Sequence, residues 1–136
     1  MVVVTSGDEK LCDYVCGIAQ NKLVNRADFP QKGDVIVPTS FNIGEIEISI
    51  FTNGKSPLMA RQLRKKIQSI ITEEDILEIE LQDYARSKLK DVLENQKDRR
   101  KYLYEILEDE KINDLIKDGQ IDEAKDYIDN LIRGLE

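Results

Sequence analysis

Residues 52–56, Thr-Asn-Gly-Lys-Ser, end in the Gly-Lys-Ser triplet that closes a phosphate-binding P-loop. A complete P-loop also needs a glycine at position 49, so that successive backbone N–H groups wrap the phosphates. Ser49 stands there instead, inside the strictly alternating segment EIEISIF. Magnesium-dependent nucleotide binding of the GTPase kind is therefore not expected. Pro57 points to other chemistry. Ser56 is a good N-cap and proline is favoured at the first helical position, where its missing N–H costs nothing. Asn53-Gly54-Lys55 then forms a turn facing the N-terminus of a helix, where free N–H groups and the helix dipole attract anions. Lys55, Arg61 and Arg64 add positive charge. A carboxylate-bearing ligand suits that place; so does the plainer alternative of a helix cap with a solvated basic face.

Other reactive side chains are few. The chain has no histidine, so acid–base work falls to carboxylates. Asp28, in a loop after a short apolar segment, is one such carboxylate, although a loop aspartate is often only a turn residue. Cys12 and Cys16, the only cysteines, are too few for a four-ligand zinc site; their spacing puts both on one helix face as buried thiols. No metal site is expected.

The elements that must hold these residues follow from the hydrophobic pattern. At 136 residues the chain is about one domain's worth. Met1–Thr5 is a continuous apolar run, as in a parallel strand buried on both faces, and Asp8 caps a helix to about Gln20. Short strands are predicted at 22–25 and 35–37, the second stopped by Pro38. Residues 45–51 read as a half-exposed strand with Ile46, Ile48 and Ile50 on one face. A helix is expected over 57–71. Further helices near 73–94, 98–109, 111–118 and 120–133 are broken at Asn95, Lys111 and Gly119. Net charge is −7, and nine basic against seven acidic residues up to position 71 leave −9 for the rest. That acidic half argues against nucleic acid as the main partner. No segment is long and apolar enough to suggest a membrane span, and a cytoplasmic location is expected.

The series Thr52, Gly54, Lys55, Ser56, Pro57, Ala60, Arg61, Leu63, Arg64 and Ile67 resembles the T-x-G-K-S-P…A-R-x-L-R-x-x-I segment of the precorrin-2 dehydrogenase and sirohydrochlorin ferrochelatase (siroheme synthase) family. Val24-Asn25-Arg26-Ala27-Asp28 is similar to the family's V-N-x-x-D, and Val35–Pro38 to its apolar strand ending in proline. The resemblance is close over 1–71 and only architectural beyond.

It implies NAD-dependent dehydrogenation of precorrin-2 to sirohydrochlorin and, in some members, insertion of ferrous iron as substrate. Asp28 takes the family's acid/base position. Asn25, Thr52, Gly54, Lys55, Ser56 and Arg61 border the anionic tetrapyrrole, and Thr5 and Ser6 border the dinucleotide. The family is homodimeric, with the 45–51 strand and the 57–71 helix at its interface; an intramolecular core face would serve Ile46, Ile48 and Ile50 equally well. The expected fold class is α/β. It comprises a partial Rossmann-type parallel sheet over 1–42, a dimerisation segment over 43–72 and a helical domain over 73–136. The family's G-x-G-x-x-G loop has no counterpart among the seven glycines. The chain is therefore expected to be the C-terminal portion of such an enzyme, with no tight NAD binding and little turnover. The alternative is a non-catalytic homodimerisation or scaffold module that binds a protein partner through its acidic helices.

Overall fold

The computed structural model describes residues 1–135. It forms two compact units, one over Met1–Ser69 and one from Ile70 onward. The first is mixed α/β and the second is helical, as the hydrophobic pattern implies.

In the first unit, β1 (Val2–Val4) and β2 (Val24–Arg26) pair in parallel, with Val2 opposite Val24 and Val4 opposite Arg26. Helix α1 (Glu9–Ile18) joins them. Its N-cap is Asp8, whose carboxylate accepts from the Lys10 and Leu11 N–H groups. Side chains alternate along a strand, so Val4 and Val24 face α1 and pack on Cys12, with Val2, Val15, Cys16 and Ala19 around them.

Residues 35–37 do not form a third strand. The Asp34 and Val35 N–H groups both donate to the Val24 carbonyl, so the segment crosses β2 once and builds no ladder. Gly33 explains the approach: a Cβ there would sit 2.9 Å from the Val24 oxygen and 3.0 Å from the Arg26 nitrogen. A strand the hydrophobic pattern did not indicate, β3 (Thr39–Ile43), pairs antiparallel with β4 (Ile46–Ile50) through a two-residue turn with Gly44 at positive φ. Phe41 opposite Ile48 and Ile43 opposite Ile46 give this hairpin one apolar face. Helix α2 (Pro57–Gln68) follows, and the Arg64 guanidinium lies 5.0 Å from the Phe41 ring centre.

The second unit comprises α3 (Glu73–Val92), α4 (Gln96–Leu107), α5 (Glu110–Lys117) and α6 (Ile121–Arg133). Leu81, Ala85, Leu89, Ile106, Ile112, Ile116, Ala124, Ile128 and Ile132 form its core, at the three- and four-residue spacings of apolar helix stripes. Thr72 and Asp75 make a reciprocal capping box, and Asn95 caps α4. The α4–α5 break lies at Asp109, the α5 N-cap, with Lys111 inside the helix. Gly119 closes α5 at φ +71°, a conformation open to glycine. No helix among the described residues is long and apolar enough to cross a membrane.

Candidate functional site

The candidate residues collect where β1 and β2 end. In parallel sheets the carboxyl ends of the strands are where ligand-binding loops project. Thr5 and Ser6 follow β1, and Ala27 and Asp28 follow β2, with the Ala27 N–H donating to the Val4 carbonyl across the gap. The chain then turns through a short 3-10 helix, Pro30–Lys32.

The organising side chain is Arg26. It faces α1 at the end of β2 and is only 1% exposed. A buried guanidinium needs carboxylates around it, and Arg26 has two. Its Nε and Nη2 bind both oxygens of Asp28, at 2.8 and 2.6 Å, in a bidentate fork. Its Nη1 binds Asp13 of α1 at 2.7 Å. Lys32 extends the chain of charge, 2.8 Å from Glu9 and 3.7 Å from Asp13.

The hydrogen bonds from Arg26 hold the Asp28 carboxyl far below the usual carboxylate range, and they lower Asp13 in the same direction. Arg26 itself is raised, first by its bond to Asp28. Burial pushes the Cys12 thiol up, so it stays protonated; its Sγ donates to the Ser6 carbonyl at 3.3 Å. Asp28 is thus a fixed, ionised carboxylate on a rigid guanidinium.

The second group is the turn before α2. The Lys55 N–H donates to the Thr52 carbonyl at 3.0 Å, and Asn53 and Gly54 both hold positive φ, 54° and 71°. That is the signature of a type I′ turn, for which Asn-Gly is the preferred pair. The Thr52 hydroxyl donates to the Ser56 carbonyl at 3.2 Å and accepts from the Ser56 N–H at 3.4 Å. The Ser56 Oγ accepts from the Met59 N–H, so the expected cap is present. Lys55 and Arg61 are exposed, and neither is ion-paired among the described residues.

The two groups are neighbours. A Cβ on Gly54 would lie 3.8 Å from Pro30 Cγ and 3.9 Å from Gln31 Nε2, so the Asn-Gly turn rests against the 3-10 helix that follows Asp28. Asp28, Lys55 and the α2 N-terminus therefore border one region of the first unit.

Asn25 stands apart. Its side chain is buried and its amide donates to the Val35 carbonyl at 2.9 Å, anchoring the 33–37 segment. The Ser6 hydroxyl is also occupied, accepting from the Asp8 N–H at 3.1 Å. Arg26 was missed by sequence reasoning. Its signal was slight: Arg26 ends the short strand Val24-Asn25-Arg26, and Asp28 lies two positions on.

The residues present do not fit a dinucleotide pyrophosphate. At the N-terminus of α1 the N–H groups that would meet phosphate are capped by the carboxylate of Asp8. No group of three or more potential metal ligands clusters among the described residues.

No protein-family model matches the chain. It is 32% identical over 114 residues to the precorrin-2 dehydrogenase of Methanosarcina barkeri, a match covering 82% of this chain and 50% of that protein. It is also 32% identical over 113 residues to the siroheme biosynthesis protein met8 of Schizosaccharomyces pombe, over 79% of this chain and 43% of that protein. Among solved structures, SirC, a precorrin-2 dehydrogenase, shares the fold with a TM-score of 0.69 at 22% identity, over 93% of this chain and 63% of SirC. The chain spans about half the length of the curated relatives it matches. The chain is thus homologous to proteins named precorrin-2 dehydrogenase and siroheme synthase.

Proposed function

We propose that this chain supplies the tetrapyrrole-facing part of a siroheme-pathway enzyme that dehydrogenates precorrin-2 to sirohydrochlorin. The carrying observation is that the Asp28 loop and the Asn53-Gly54 turn touch through Pro30 and Gln31. Homology to proteins named for that reaction agrees with this assignment.

The macrocycle carries many carboxylates, and Lys55, Arg61 and the α2 N-terminus offer positive charge to receive them. Asp28 takes up the proton the macrocycle releases. Its bond to Arg26 keeps it ionised at neutral pH and fixes its direction, and the same bond makes it a weak base, so it passes that proton on to solvent rather than holding it. Asn25 acts as a positioning residue through Val35. NAD would supply hydride acceptance; its pyrophosphate finds no cradle among the described residues. Ferrous iron is a substrate of the same region, ligated by the macrocycle's nitrogens.

A second copy of the chain is the proposed partner. Helix α2 buries none of its residues, and Leu58 and Met59 lie exposed on it. Light scattering on Leu58→Glu should show loss of a dimer.

The direct test is an absorbance titration with sirohydrochlorin. Saturable binding is expected, weakened about tenfold by Arg61→Gln and retained by Asp28→Asn with its proton-transfer role lost. Absence of binding would overturn the assignment and favour a scaffold.

A further inference from the structure

The helical unit holds a second concentration of positive charge, separate from the residues assigned above. Helices α3 and α4 flank a cleft of about 620 Å3 lined by Arg86, Lys90, Arg99 and Arg100, with Gln82 and Gln96 beside them. Among the described residues none of these four cations lies within ion-pair distance of a carboxylate. Four other cations of the unit do: Lys88 with Asp129, Lys101 with Glu105, Lys117 with Asp114 and Lys125 with Glu80. In a segment of net charge −9, unpaired cations meeting at one cleft are not the expected arrangement of a solvated surface.

The walls are fixed from behind. The Gln82 amide donates to the Leu103 carbonyl at 3.2 Å, strapping α3 to α4. Arg99 donates to the Leu93 carbonyl at 2.8 Å and the Glu94 carbonyl at 3.3 Å, satisfying acceptors at the end of α3. Arg100 lies 5.6 Å from the Tyr104 ring centre, so its guanidinium is steadied by an aromatic face. Arg86 and Lys90 extend from an exposed face with no partner side chain. Gln96 is the first residue of α4, so the helix N-terminus adds its partial charge to the same cleft. Leu103, Tyr104 and Leu107 provide an apolar wall.

We propose that this cleft binds a compact organic polyanion, with several carboxylate or phosphate groups on a frame that has an apolar face. Compactness follows from charge. A long polyanion would leave the four cations and meet the acidic remainder of the unit, whereas a short one sees only the local field. The arginines favour planar, bidentate anions, and the leucines and tyrosine accept the frame.

The experiment uses the full chain, with calorimetric titration of trimesate, a flat aromatic tricarboxylate, and of inorganic pyrophosphate. One-to-one saturable binding of at least one probe is expected, weakening as salt rises. The variant Arg86→Gln/Arg100→Gln should lose about tenfold or more in affinity. The control Lys97→Gln/Lys117→Gln, which removes the same charge elsewhere in the unit, should lose much less. Preference for trimesate assigns the site to carboxylates, and preference for pyrophosphate assigns it to phosphates. Circular dichroism confirms that the variants fold, and where the double variant does not, Lys90→Gln replaces it. Absence of saturable binding for both probes, or an equal loss in the control, overturns the proposal. The tetrapyrrole assignment is untouched by either result, because its probe and its variants lie in the first unit.

Discussion

The two units are nearly equal in length and unequal in what they bury. The helical unit encloses nine core side chains, several at zero exposure, on stripes from all four of its helices. The α/β unit gathers Val4, Cys12 and Val24 under one face of a two-stranded parallel pair, with Phe41 buried in the hairpin. Parallel strands are ordinarily covered on both faces. Here Val3 on the open face is half exposed, and elsewhere in the unit so are Leu11, Phe29 and Val37. The α/β unit replaces apolar bulk with a polar buttress, in which the buried guanidinium of Arg26 ties β2 to α1 and to the Asp28 loop. The larger core lies in the helical unit, whereas the residues assigned to the tetrapyrrole lie in the α/β unit.

That contrast can be broken most strongly from the helical side. Ile128 is completely buried, and Ile128→Ala should cost about 2–5 kcal/mol on denaturant unfolding. The transition of the helical unit should shift while the acid behaviour of Asp28 stays unchanged. Gly33→Ala attacks the other unit. Its Cβ would press on the backbone of β2 at 2.9 Å, and overpacking of that kind costs about 1–3 kcal/mol. Faster hydrogen exchange at Val24 and Arg26 would register it.

Acid sharpens the comparison. A carboxylate held below its ordinary range stabilises the fold above about pH 4 and loses that contribution as pH falls through its lowered value. Asp28 and Asp13 both carry such shifts, whereas in the helical unit burial moves Glu78 the other way, upward. The α/β unit should therefore loosen first on acidification, followed by residue-resolved NMR. In Arg26→Met the Asp28 titration should move back up toward about pH 4. The smallest effect is expected at Gly54, where φ is +71° and a Cβ would meet Pro30 and Gln31 only at ordinary contact distance. Gly54→Ala should cost about 1 kcal/mol, from the left-handed backbone alone.

The helices were legible because their signal is local. Ser56-Pro57, Thr72 with Asp75, and Asn95 mark helix starts, and apolar spacing marks the buried faces. The Asn-Gly turn and the absence of a P-loop were legible for the same reason. What escaped depends on contacts distant in sequence. Val35–Val37 has strand composition, but it is held to β2 only at Val35, by the Val24 carbonyl and the Asn25 side chain, and no ladder forms. Thr39–Ile43 carries strand formers in Thr39, Phe41 and Ile43, but it is short and is fixed as a strand by pairing with Ile46–Ile50. Asp28 could be selected from the sequence, whereas Asp13, the second carboxylate on Arg26 and fifteen positions earlier, becomes adjacent only through folding. The Asn25 side chain looked available and is consumed by the Val35 carbonyl. The cleft between α3 and α4 joins side chains from two helices that no single sequence window contains.

The most direct test of the tetrapyrrole site is amide NMR of the full chain during addition of sirohydrochlorin. The expected result is saturable shifts at Asp28, Gly54, Lys55 and Ser56 together, with one common affinity. Binding that leaves those four amides unmoved, or moves the turn without Asp28, would contradict a shared site.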